Sequence, residues 1–290
     1  DSPRLYSRAL SAPELAALAH DEEIDPRGLV AAWNFAEGIG PSGIPTDHVA
    51  DVSGNGLHGR CVNMPARGMT GHNWSGREEN FTRAPSQYGA IHFHDDDVED
   101  ARWEPDFEWT VPEGTKSDVY AVRLRADGVE QHVPFFVRPR RGTATARIAF
   151  LAPTASYMAY ANFKFAFEAS VNEAISGRTP TISADDVYLT THPEYGLAMY
   201  EVHSDFSGVC YSSRLRPILN MAPKYRGVGE LWGLPADLHL IDWLNAKNYR
   251  YDVITDEDLD AEGLGLIADY KVILTGTHPE YYSGAMLDAI

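Results

Sequence analysis

The sequence predicts a multidomain chain, with a β-sandwich region on the amino-terminal side followed by an α/β domain built on a parallel sheet. Two observations carry this. Up to about residue 145, short apolar runs are punctuated by Gly, Pro, Asn and Asp, the pattern of strands joined by tight turns. From about Arg147 the apolar runs alternate with longer amphipathic stretches, as strands linked by crossover helices do. The chain has 290 residues, 44% of them hydrophobic, enough for about two cores at roughly 150 residues each. The expected divisions are a β-rich region over 1–100, an antiparallel β unit and linker over 101–145, and an α/β domain over 146–290.

In order along the chain, Ala12–His20 is the one helical stretch of the first region, with Pro13 in its first turn and Leu15 and Leu18 on one face. Leu29–Phe35 and Gly89–Phe93 read as strands. Residues 101–138 form a tighter unit, in which Trp103–Val111 alternates loosely. Ser117–Leu124 is a strand, Ala126–Gly128 a turn and Gln131–Val137 the returning strand. This looks like the close of an antiparallel sandwich, and Arg138–Thr145 reads as a linker. Arg147–Ala152, Tyr251–Ile254 and Lys271–Thr275 are short strands, the last expected to be buried. Ala236–Asn248 is an amphipathic helix with Leu238, Ile241, Trp243 and Leu244 toward the core, and Asp256–Ala268 a short helix or loop. Residues 153–235 are long and irregular, which suggests that they line a site. The chain starts at Asp1, not Met, and Ser283–Ile290 opens a helical pattern without completing it, so the sequence reads as a fragment of a larger soluble enzyme.

The net charge of −18 at pH 7 argues against nucleic acid or an anionic membrane surface as partner, because both select basic patches. There is no apolar run of the roughly 18 residues a membrane span needs, and no signal-peptide pattern. Cys61 and Cys210 form no CxxC pair, in keeping with a reducing compartment and a cytoplasmic location. Serine-hydrolase elbows, Walker loops, HExxH and GxGxxG motifs are all missing from the sequence.

Three stretches carry candidate chemistry. Gly276–Tyr282 leaves a strand and enters a helix, and Pro279 stiffens the turn between His278 and Glu280. Either both side chains point into a strand-end crevice, or this is a plain turn with a helix-capping Glu and an exposed His. Ala152–Asn162 leaves the first parallel strand at the same end of the sheet. There Tyr157 and Tyr160 would share a helical face, as reactive groups or as packing residues. Thr191–Tyr195 repeats Thr277–Tyr281 letter for letter; no strand feeds it, its flanks do not repeat, and the match is read as accidental. Two weaker features are His92 with His94 ahead of Asp95–Asp97, either a metal site or an acidic turn, and Asp51–Gly59, either a calcium- or sugar-binding loop or a tight turn.

Taken in order, Ala146–Asn162, Gly196–Pro217 and Gly276–Ser283 resemble the large (beta) subunit of the N,N-dimethylformamidase family. Val119–Leu124 and Val133–Pro139 also fit its β-domain, so the resemblance runs over most of 101–290. Separately, Leu5–Leu15 resembles the closing segment of a laminin-G or concanavalin-like jelly roll, and Trp33–Gly59 an opening strand pair. The resemblance implies an α/β domain of glutamine-amidotransferase or flavodoxin type. It also implies a mononuclear iron (Fe3+) amidohydrolase acting on a small N-substituted amide, with a small partner subunit in a hetero-oligomer. Carried over by motif, the ligands are Tyr160, Tyr200 and Glu280, with Tyr157 or Tyr211 as alternatives for the tyrosines, and His278 is a candidate for the catalytic base or for a group supporting the ligands. The competing readings are a non-catalytic carbohydrate-binding or scaffold protein, and an amidotransferase-like domain. The latter would need a cysteine nucleophile after a strand, where this chain has His-Pro-Glu.

Overall fold

The computed structural model describes residues 1–44, 46–164, 170, 173–174, 177, 179, 181–226 and 231–290. They divide into two compact units, Asp1–Asp97 and Val98–Ile290. The fold is mixed α/β, with small antiparallel sheets and a three-stranded parallel sheet flanked by helices.

In the first unit, β1 (Arg4–Tyr6) pairs antiparallel with β2 (Leu29–Ala32). Between them lies α1 (Ala12–Ala19), whose first turn is closed by Glu14 accepting from Ser11 N and Oγ, both at 2.8 Å. None of its residues is buried, and Leu15 is exposed. β3 (His48–Val49) pairs with β4 (Gly59–Arg60), and β5 (Ala66–Met69) with β6 (Ala90–His92). Among the described residues these strands pair in twos.

The second unit begins with a hairpin of β7 (Asp118–Ala126) and β8 (Val129–Val137), nine residues each. Asp127 and Gly128 take φ of 49° and 82°, the left-handed values of a two-residue turn that follows strand twist. Trp103–Val111 forms no strand; Trp109 instead sets its ring edge-on against Phe135 of β8 at 5.5 Å, leaving Trp103 and Phe107 exposed.

The parallel sheet has the order β10 (Tyr251–Thr255), β9 (Ile148–Ala152), β11 (Val272–Thr275). Alternation along β9 splits the core. Ala149 and Leu151 pack with Leu259, Leu266 and Met286 from α5 (Asp256–Glu262), α6 (Leu264–Ile267) and α7 (Gly284–Ala289). Phe150 and Ala152 face the other way, against Tyr157 of α2 (Thr154–Ala159) and Leu234, Ile241 and Leu244 of α4 (Leu234–Ala246). The chain leaves β9 toward one face and β11 toward the other. Their carboxyl ends therefore flank a crevice of the kind that binds ligands in open α/β sheets. α3 (Ala184–Thr191) lies in the long segment between β9 and α4.

Two expectations are corrected here. Lys271–Thr275 is not a buried strand: Val272 and Ile273 are exposed, and among the described residues β11 pairs with β9 alone. Trp243 does not join the core. It lies across the helix from Ile241 and packs on Tyr249 at the surface, with ring centroids 5.5 Å apart.

Leu259 is fully buried between α5 and the sheet. Leu259→Ala is expected to lower unfolding free energy by about 2–5 kcal/mol, read from urea denaturation midpoints at unchanged slope.

Candidate functional site

The site is built where β9 and β11 end. Pro153 follows β9 and starts α2, a six-residue helix that buries Thr154, Ser156, Tyr157 and Ala159. The Asp256 carboxylate accepts from Ala155 N at 3.0 Å and fixes the start of that helix. Tyr160 caps its end. Beyond it, Asn162 is fully buried with φ of 62°, a left-handed conformation that Asn tolerates better than most residues. Its amide donates to Pro217 O at 2.7 Å and accepts from Leu219 N at 3.0 Å. Asn220 reciprocates, accepting from Asn162 N at 2.9 Å and donating to Tyr160 O at 2.7 Å.

From the other strand, Gly276 passes against Asp237 of α4. A Cβ there would lie 2.2 Å from an Asp237 oxygen and 2.7 Å from the Pro153 ring, so only glycine fits. The Asp237 carboxylate, 1% exposed, accepts from Thr277 N and from the Tyr157 hydroxyl, each at 2.5 Å. Ser156 Oγ accepts from Glu280 N at 2.9 Å and Tyr281 N at 3.4 Å. The loop after β11 is thus tied to α2 and α4 at three points, Thr277, Glu280 and Tyr281.

These ties bring three of the predicted groups together. Tyr160 Oη donates to Glu280 Oε2 at 2.8 Å, His278 Nε2 is 2.8 Å from the same oxygen, and Tyr160 Oη and His278 Nε2 are 3.4 Å apart. Tyr200 joins from the irregular segment. Met199 N donates to Ala159 O at 3.0 Å, and the Tyr200 ring stacks on Tyr160 with centroids 4.1 Å apart. Its hydroxyl accepts from Tyr281 Oη at 2.7 Å. Burial pushes the Tyr160 phenol up to about 12, with Glu280 reinforcing the shift and Tyr200 opposing it. Burial, then hydrogen bonds to Tyr160, Tyr281 and Glu280, raise Tyr200 further. The hydrogen bond from Tyr160 lowers Glu280, helped by Tyr200 and His278 and opposed by burial. Left to themselves, then, the phenols are neutral and the carboxylate is charged. Two phenols and a carboxylate make a hard, oxygen-only donor set that fits a small, highly charged cation such as ferric iron, which must displace the phenolic protons to bind.

The alternative tyrosines lie elsewhere: Tyr157 is buried against Asp237, and Tyr211 is exposed. In the repeated Thr191–Tyr195 stretch, His192 stacks on Tyr188 at 3.8 Å and Tyr188 Oη meets Tyr195 Oη at 2.9 Å, so its contacts are made locally. His92 and His94 lie with ring centroids 4.1 Å apart, and His94 Nδ1 is 3.4 Å from Asp97 Oδ2. The Asp51 carboxylate accepts from Ala32 N, Ser53 N, Ser53 Oγ and Leu57 N at 2.8–3.0 Å, which makes that loop a self-satisfied turn. Sequence reasoning missed Asp237, Ser156, Asn162, Asn220 and Trp232. Two of them left a trace: an Asp among the apolar positions of an amphipathic helix, and an Asn two residues after a chemically loaded tyrosine.

Residues 66–290, which include all four predicted site residues, match a family model described as N,N-dimethylformamidase beta subunit-like, C-terminal. The whole chain is 53% identical over 291 residues to an N,N-dimethylformamidase beta subunit of Paracoccus aminophilus and 52% identical to one of Alcaligenes sp. It spans 38% of the length of each of these relatives.

Two predictions follow from the buried carboxylates. Asp237→Ala leaves the Tyr157 hydroxyl and Thr277 N–H without their acceptor. Its expected cost is about 1–3 kcal/mol for each orphaned group, measured by chemical denaturation. Asp256 is pushed up to about 6, mainly by burial, with Glu257 adding and the Ala155 N–H opposing. Its folded value lies above the unfolded one of about 3.9, so the stability gained from protonating it is fully present below pH about 4 and is lost as pH rises through about 6. Asp256→Asn is expected to remove this dependence, so the variant's Tm relative to wild type should climb between pH 4 and pH 7.

Proposed function

The chain belongs to the N,N-dimethylformamidase beta subunit-like family, and from that premise we propose that the protein containing it hydrolyses a small N-substituted amide. The substrate we assign is N,N-dimethylformamide, cleaved to dimethylamine and formate. The chemistry takes place at a mononuclear iron centre held by Tyr160, Tyr200 and Glu280. The observation that carries this reading is the meeting of Tyr160, Glu280 and His278 within 2.8–3.4 Å at the carboxyl ends of β9 and β11, with Tyr200 stacked alongside.

When bound, ferric iron supplies Lewis acidity toward an amide carbonyl oxygen and toward water. The protein's own groups do the rest. His278, through the ring nitrogen that Glu280 does not engage, takes a proton from the attacking water and returns it to the departing nitrogen, so that dimethylamine leaves as a neutral amine. Glu280, 2.8 Å from His278 Nε2, orients the imidazole and stabilises its protonated form. Ser156 and Asp237 hold the His278–Glu280 loop at fixed height above the sheet, which keeps the base in reach of the reacting atoms.

The finer architecture belongs to the same proposal: laminin-G-like over 1–100, an antiparallel unit over 101–145, and an amidotransferase- or flavodoxin-like domain over 146–290. So do a small partner subunit in a hetero-oligomer and a cytoplasmic setting, the latter supported by the two free cysteines, Cys61 and Cys210. Among the described residues, no helix is long and apolar enough to cross a membrane.

The test is metal analysis with visible absorption on the full-length protein. Tyr160→Phe and Tyr200→Phe are each expected to abolish or strongly shift a tyrosinate-to-iron charge-transfer band. His278→Gln should keep the band and lower kcat by about 10²–10⁴-fold. A colourless, iron-free and fully active enzyme would overturn the iron assignment.

A further inference from the structure

A narrow, open cleft lies directly against the site, and Tyr160 and His278 are among its lining residues. Met221, Trp232 and Leu234 supply its apolar wall. The Trp232 indole centroid is 4.6 Å from the His278 ring and 5.6 Å from the Tyr160 ring, so it closes one side of the space that both groups face. Its placement depends on Gly233, whose φ of 57° and ψ of −131° turn the chain sharply into α4 along a path open to glycine alone.

The polar side chains of the cleft are already engaged by the protein. Asn220 Oδ1 accepts from Asn162 N, and its amide donates to Tyr160 O. Ser156 Oγ accepts from two backbone N–H groups, those of Glu280 and Tyr281. The Tyr157 hydroxyl donates to Asp237. An amide N–H entering this cleft would meet mainly apolar surface and exchange good bonds to water for poorer ones. An N-methyl group in the same place would be buried against an indole and a thioether.

We propose that Trp232, with Met221 and Leu234, forms the recess that receives the N-alkyl groups of the substrate and sets its preference for tertiary over primary amides. The inference rests on the amide-hydrolase reading above. With the carbonyl oxygen directed at the Tyr160–Glu280 end and the leaving nitrogen within reach of His278, the nitrogen substituents fall against Trp232 and Met221. Specificity here comes from apolar area that rewards methyl groups and offers little to an N–H.

The experiment compares kcat/KM for N,N-dimethylformamide and formamide in the full-length, metal-loaded protein and in its Trp232→Ala and Met221→Ala variants. The visible spectrum is recorded in each to show that the metal site is intact. The expected result is a fall of about tenfold or more in the dimethylformamide-to-formamide ratio, carried mainly by KM for the dimethyl substrate. Met221→Ala reads the same ratio if Trp232→Ala fails to fold. Equal losses on both amides, with the ratio unchanged, overturn this inference and leave the hydrolase reading standing. A metal-loaded wild-type protein that cleaves neither amide overturns both.

Discussion

The carboxylate of Asp237 lies where three elements of the α/β unit must meet. It belongs to the first turn of α4, accepts from the Tyr157 hydroxyl of α2, and accepts from the Thr277 backbone just after β11. A buried carboxylate is tolerated only when its oxygens are satisfied, and here each oxygen has one short donor. Burial, the nearby negative charge and the hydrogen bond all raise Tyr157 far above an ordinary phenol, which keeps it the donor in this pair. Gly276 completes the arrangement by leaving room for the carboxylate to approach the backbone. The geometry of His278 and Glu280 is inherited from this contact, because both follow Thr277 by only a few residues.

The other side of the site is held by a different device. Residues 196–217 contain no regular strand or long helix among the described residues, so backbone groups there need partners from side chains. Arg216 supplies many of them. It is 5% exposed and donates to the carbonyls of Ser213, Tyr195 and Leu197 at 2.9–3.2 Å. Burial lowers its guanidinium to about 10, so it remains charged at neutral pH, and Glu201 opposes the shift. A Cβ on Gly196 would come within 2.5 Å of Arg216 Nη1, which explains the glycine at that position. Arg216 and the Asn162–Asn220 pair together do for this coil what a ladder of strand hydrogen bonds does for the sheet. The result is a rigid path that carries Tyr200 onto Tyr160.

The electrostatics of the cluster separate its phenols from its carboxylate. Partial burial and mutual hydrogen bonding make the phenols poor acids, while the same hydrogen bonds make Glu280 a better one. The neighbouring cleft has the opposite character, with apolar walls and polar groups turned toward the backbone. Tyr160 thus stands between a polar, hydrogen-bonded cluster and an apolar wall.

The sequence by itself determined the succession of elements, since hydrophobic period and turn residues are local properties. β7, β8, β9, β10 and α4 fall within a few residues of where their patterns place them. Even so, local pattern misjudged Trp243 and the exposure of β11, because the burial of a face depends on what packs against it. The motifs also named Tyr160, Tyr200, His278 and Glu280 as candidates. Only the tertiary structure decided that Tyr160, and not Tyr157 three residues earlier, faces Glu280 across 120 residues of chain. Likewise only the fold revealed Asp237, Asn162, Asn220 and Trp232 around them. Their roles lie in contacts between segments far apart in sequence, and such pairings are selected by packing and by the need to satisfy buried polar groups. No short window of residues encodes them.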